Sequence, residues 1–206
     1  MLSVSSTEEK IKEAARKIFL QKGFEGATTR DISREAGLNC ALMNYYFRSK
    51  EKLFASVFEE MLHLFFQGMI TVLNKPISLK EKIIELIDHD FQTFKRNPSL
   101  CIFVLNELHR NPDQLINIIQ SAKTQTALLF ELQLKEAIDK GVVRPVKMQH
   151  VLSLLLSNTQ FIFLGKAITM STWQMDEEAF DTYAEDHKQL ITQMIINFLF
   201  IPETAS

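Results

Sequence analysis

The sequence predicts an all-α protein of nine helices, with a three-helix helix-turn-helix head ahead of a six-helix bundle. Three observations carry this. No stretch sustains the period-two alternation of a half-buried strand, whereas apolar residues recur at helical spacing along the chain. Ser, Thr, Asn or Asp stands just ahead of most of these stretches, where a side-chain oxygen can accept the unpaired N–H groups of a helix start. Gly and Pro fall mainly between the stretches, where helices end.

Ser6 and Glu9 have capping-box spacing, and Ile11, Ala14, Ala15, Ile18 and Phe19 then form one apolar stripe that Gly23 stops. Thr28 caps a second helix, TTRDISREAG, ended by Gly37. Asn39 caps a short third helix reaching about Tyr46, and Ser49 caps a long fourth with Leu53, Phe54, Val57, Phe58, Met61, Leu62 and Phe65 on one face. Pro76 breaks the fourth helix, and Ser78 with Glu81 opens the fifth. Asn97-Pro98 and Asn111-Pro112 place proline at a first helical position, where its missing N–H is harmless. Gly141 and Pro145 close the seventh helix, the eighth runs from Lys147 to about Ser171, and the ninth from Asp176 to about Phe200.

With 46% apolar and 23% charged residues among 206, the chain is globular rather than disordered. The longest apolar run, VLSLLLSNTQFIFLG, is broken by polar residues and is too short for a membrane span, which needs roughly 18 apolar residues. With no signal-peptide pattern, and with Cys40 and Cys101 in different modules, the expected location is the reducing cytoplasm. The first 50 residues carry three more positive than negative charges, although the whole chain is at −2. A weakly basic head on an acidic body hints at polyanion contact at one end. The last two helices are apolar around most of their circumference and need cover on every side. A place in the centre of one chain's core would provide it, as would pairing with a second chain; symmetric pairing is the favoured expectation.

TTRDISREAG, LN and CALMNYYF read as helix, tight turn, helix. Ile32, Ala36, Leu38, Met43 and Phe47 have the spacing of a small core, which leaves Cys40, Ala41, Leu42, Asn44 and Tyr45 outward. Such a surface suits a DNA duplex. Tyrosine hydroxyls reach phosphate oxygens, Asn pairs with adenine in the major groove and Arg with guanine. Arg30 opens the second helix, whose amides favour a phosphate, and Lys50 opens the fourth. Closure of the head's own core is the alternative role for Tyr45 and Tyr46.

Residues 11–58, through KGFEGATTRDISREAGLN and YFRSKEKLF, strongly resemble the DNA-binding head of the TetR family of bacterial transcriptional repressors. The resemblance implies a head (1–50) and a regulatory and dimerisation body (51–206). It further implies a homodimer joined by the last two helices, a small-molecule effector in the body and a double-stranded DNA operator as partner. Carried over by position, it implies phosphate contacts from Thr29, Asn39, Tyr45, Tyr46 and Lys50, and base-edge contacts from Arg30, Ala41 and Asn44. Many members carry Tyr where this chain has Asn44, and a Gly-Thr pair where it has Ala41-Leu42. That departure bears on base preference rather than on docking in the groove.

The candidate effector pocket draws on Phe91, Phe94, Phe103, Phe161, Phe163 and Trp173 as apolar lining. His89, Asn106, Glu107, His109 and Asn158 are its candidate polar anchors. The aromatic lining implies an apolar effector. An enzyme reading finds weak support: Glu60 and His63 form a single Glu-x-x-His pair, whereas a di-iron bundle needs two. No catalytic group, metal site or cofactor is expected. A helical-bundle metal enzyme, or a protein-interaction adaptor with no DNA target, is the alternative; the adaptor has no use for the head's Arg-Asn-Tyr-Lys set.

Overall fold

A computed structural model of the chain describes residues 6–110 and 112–202, without the side chains of 107, 108, 114, 115 and 117–128. The described residues form ten helices and one isolated antiparallel bridge, Val143 to Phe200. They divide into two compact units: residues 1–65 with 103–112, and residues 66–102 with 113–206.

The first unit contains α1 (Thr7–Gly26), α2 (Thr29–Ala36), α3 (Cys40–Phe47), the first four turns of α4 (Lys50–Leu73) and the end of α6 (Pro98–Arg110). The anticipated caps form. Ser6 accepts from the Glu9 N–H at 3.2 Å, and Thr28 and Asp31 make a reciprocal box. Asn39 accepts from Leu42 N–H at 2.8 Å, and Ser49 from Lys52 N–H at 3.2 Å. Gly23 interrupts α1 at φ 68° as its position implied, although helical turns resume as far as Gly26. The stripe of Ile11, Ala14, Ala15, Ile18 and Phe19 is buried. It meets a cluster of rings around Phe54, which lies 4.9 Å from Phe19, 4.8 Å from Phe24, 5.8 Å from Phe58 and 5.5 Å from Phe103. Lys12 at 2.7 Å and Arg16 at 3.3 Å pair with Glu60 and tie α1 to α4. One 18-residue window of α4 is apolar enough to cross a bilayer (mean hydropathy 1.2), yet Leu53, Phe54, Val57, Phe58 and Leu62 are buried within the protein.

The second unit holds α5 (Leu79–Arg96), α7 (Pro112–Asp139), α8 (Met148–Leu164), α9 (Lys166–Trp173) and α10 (Glu177–Leu199), with the end of α4 and the start of α6. The tenth helix arises because the expected eighth is two: it bends by 57° at Gly165 into α8 and α9. A lone Gly in an apolar run weakens a helix by only about 1 kcal/mol, so its presence did not announce a break. Pro98 takes the first position of α6 as expected; Asn111 lies outside the described residues.

Helix α5 buries Leu79, Ile83, Leu86, Ile87, Phe91 and Phe94, and with them two charged residues, Lys82 and Asp90. Lys82 is satisfied, donating to Leu73 O at the end of α4. Asp90 is 2% exposed; Oδ2 accepts from the Thr159 hydroxyl of α8 at 3.2 Å, while Oδ1 has no partner among the described residues. Burial outweighs the Thr159 hydrogen bond and pushes the Asp90 carboxyl up from the ordinary 3.8 to about 7. The folded state therefore holds a proton here that the unfolded state has released, and stability falls as pH rises from about 4 to about 7. Asp90→Asn is expected to abolish this slope and to be more stable than the parent at pH 8 by on the order of 3 kcal/mol. Urea denaturation at pH 5 and pH 8 measures the difference.

Candidate nucleic-acid interface

The turn between α2 and α3 needs a left-handed residue. Gly37 supplies it at φ 67°, its N–H pointing back to the Ser33 and Arg34 carbonyls. Ile32, Met43 and Phe47 close the small core from within, with Ser33 also buried; Ala36 and Leu38 are half-buried. The opposite face of α3 is outward. Tyr45 is 79% exposed and Tyr46 41%, their rings edge to face at 5.4 Å. Ala41 and Asn44 are exposed beside them, Cys40 and Leu42 half-buried. Neither tyrosine therefore closes the head's core.

Arg30 and Asn39 are exposed on either side of this face and Thr29 is half-buried. At the start of α2, the Thr28 hydroxyl and then Lys22 hold the Asp31 carboxyl below its ordinary range. Lys50 is differently engaged. Its ammonium donates to Phe24 O at 3.0 Å and Ala27 O at 3.1 Å, and sits 4.2 Å from the centre of the Phe24 ring. The Arg110 guanidinium is also 4.2 Å from that ring. Lys50 thus fastens the segment that delivers the chain to the Thr28 cap.

One feature of this surface escaped the sequence reading. Arg48 ends α3 at φ 61°, ψ −34°, and Ser49 N–H closes a three-residue turn onto Phe47 O at 2.7 Å. A positive φ is uncommon for Arg. The only signal was its charge in YFRSK, which places an exposed cation beside Tyr45 and Tyr46.

The eleven candidate pocket residues fall in different surroundings. Phe91 and Phe94 lie 5.2 and 6.2 Å from Phe163 in the second unit, where His89 and Asn158 are also half-buried. Phe103 belongs instead to the ring cluster of the first unit. Phe161 at 73% and Trp173 at 71% exposure line the surface rather than an interior, and the Glu107 side chain lies outside the described residues. Asn106 and His109 are exposed. The carboxylate of Glu60 is taken by Lys12 and Arg16, and His63 is exposed.

Comparison with known proteins agrees with the head's geometry. Residues 11–57 match the model of the bacterial regulatory proteins of the tetR family. The chain is 28% identical over 138 residues to the probable HTH-type transcriptional regulator YttP of Bacillus subtilis, a match spanning 64% of each chain. It is 24% identical over 172 residues to the fatty acid metabolism regulator protein of the same organism, covering 84% of this chain and 86% of that one. The crystal structure of FadR from Bacillus subtilis in complex with stearoyl-CoA shares the fold, with a TM-score of 0.65 at 17% identity over 92% of this chain and 97% of that one. A helix-turn-helix with its second helix turned outward, on an all-helical body and within a matching head sequence, places this chain in the TetR family of bacterial regulatory proteins.

Proposed function

We propose that this protein is a DNA-binding transcriptional repressor that is released from a near-palindromic operator by a small apolar effector. The outward face of α3 carries the reading: an exposed Asn and two exposed tyrosines on a helix with its other side buried are arranged for a groove, not for a core. Asn44, Ala41 and Arg30 meet base edges, while Thr29, Asn39, Tyr45, Tyr46 and Lys50 meet phosphates, with Arg48 added to them. Two copies pair through α8 and α10, which leave Phe161, Leu190, Met194 and Phe198 exposed. Their recognition helices enter successive major grooves, with half-site centres about 10–10.5 bp or a multiple apart.

The effector acts by preferring the form whose heads are mis-spaced for the operator, a coupling typically of about 1–3 kcal/mol. The complex of Bacillus subtilis FadR with stearoyl-CoA, and the Phe91–Phe94–Phe163 cluster here, support an apolar ligand in the second unit.

Fragments bound from the organism's own DNA supply the operator for the test. Asn44→Ala is expected to relax discrimination by about 1–3 kcal/mol at one base pair. Lys50→Ala is expected to weaken binding to all sequences alike and to make the salt dependence shallower. Lys50 also holds two carbonyls, so melting of the free protein is measured in parallel. Fluorescence anisotropy on single-base-pair operator variants separates the two effects. A Lys50→Ala variant with altered preference, beside an Asn44→Ala variant with none, would reverse this sorting of contacts.

A further inference from the structure

We propose that Asp90, positioned by Thr159, is the polar anchor of the effector site, and that the ligand it selects is an amine on an apolar body. This rests on the reading of the chain as an effector-gated regulator and adds the chemical class of the effector.

The two buried charged residues of α5 make the contrast. Lys82 has its acceptor in Leu73 O, whereas Asp90 presents an unpartnered Oδ1 although it is 2% exposed. A buried polar atom without a partner is costly, and an apolar residue at the same place would remove the cost. Thr159, wholly buried, cannot serve both oxygens: its single proton is shared between Asp90 Oδ2 at 3.2 Å and its own helix's Leu155 O at 3.0 Å. The carboxyl therefore has one acceptor position unused.

The surroundings say which kind. Phe94 follows Asp90 by four residues on α5, and Phe163 follows Thr159 by four on α8, so each ring lies one turn along the same face. Those rings are 6.2 Å apart, and Phe91 is 5.2 Å from Phe163. Across from Asp90, the Cys101 thiol at the start of α6 is pushed up to about 11, first by burial and then by the Asp90 charge, and so supplies no cation. Among the described residues no cation bonds this oxygen, and an acceptor one turn from aromatic rings, whose faces attract cations, fits an ammonium carried by an alkyl or aryl group. At pH 8, where the Asp90 carboxyl is ionised, a carboxylate ligand would meet a like charge there.

The test uses the full-length protein at pH 8, above the Asp90 pKa, with three probes of equal chain length: n-octylamine, octanoate and octan-1-ol. The melting temperature and the calorimetric Kd are measured for the parent, Asp90→Asn, Thr159→Val and, as a surface control on the same helix, Asp88→Asn. Octylammonium is expected to raise the melting temperature of the parent and of Asp88→Asn, and octanoate to leave both unchanged. Asp90→Asn is expected to fold with an unliganded melting temperature no lower than the parent's, yet to bind octylammonium about 10–100-fold more weakly. Thr159→Val is expected to fall between.

Stabilisation by octanoate equal to that by the amine, unchanged amine affinity in Asp90→Asn, or no response of the parent to millimolar octylammonium would each overturn the assignment. Operator binding is scored separately. A parent that binds operator but ignores the amine refutes this inference alone, and one that binds the amine but no DNA refutes the reading beneath it.

Discussion

Leu190→Glu combined with Phe198→Glu is expected to give a folded monomer that no longer holds its operator. Leu190, Met194 and Phe198 recur every fourth residue on α10 and are 64%, 49% and 49% exposed. Phe161 on α8 adds a ring at 73% exposure, while the opposite side of α10 is anchored by Ile191, Ile195 and Ile196. An apolar ridge standing out beside a buried one is the mark of a surface that another copy covers. Two glutamates placed there are fully solvated in the monomer and would have to be desolvated against their symmetry mates in the dimer. Because the second half-site is engaged intramolecularly, its loss should lower operator affinity by about 10²–10⁴-fold with no change in the heads themselves. Sedimentation velocity reads the mass and circular dichroism the helix content. A variant that stays dimeric would move the interface elsewhere; a monomer with full operator affinity would end the two-half-site picture.

Phe54→Ala is expected to cost about 3–5 kcal/mol, enough to unfold the first unit at moderate temperature. Phe54 is 2% exposed and meets Phe19 and Phe24 edge to face, stacks on Phe58, and touches Phe103. Arg110 stands 4.8 Å from its centre. Four ring neighbours cannot all move into the space one ring leaves, so a cavity persists in addition to the lost transfer energy. The damage should reach function through Phe24. That ring rests on Phe54, and its carbonyl, with that of Ala27, is held by Lys50 just ahead of the Thr28 cap of α2. Urea denaturation followed by circular dichroism measures the loss, and a drop below about 1 kcal/mol would mean that another cluster organises the head.

Much of this architecture was legible beforehand because it is local. A cap such as Thr28 or Asn39 acts on N–H groups two or three residues away, and Gly37 is required by a φ that few other residues adopt. The outward Asn44-Tyr45-Tyr46 face was readable because Ile32, Met43 and Phe47 have the periodicity that buries the other side. The surroundings of Phe103, Phe161 and Trp173 were not legible for the opposite reason: a ring on a helix carries no mark of which neighbour it will meet. Phe103 joined the head cluster, and the other two reached the surface.

The chain's order of residues alone determined the helix starts, the turn of the reading head and the face that head presents, since each depends on atoms within about one helical turn of one another. Only tertiary packing decided that Lys50 would secure two carbonyls, that α8 and α9 would part at Gly165, and that Asp90 would be shut away with one oxygen unpaired among the described residues. Burial and charge are set by whatever folds over a residue from distant parts of the chain, and sequence distance does not record that.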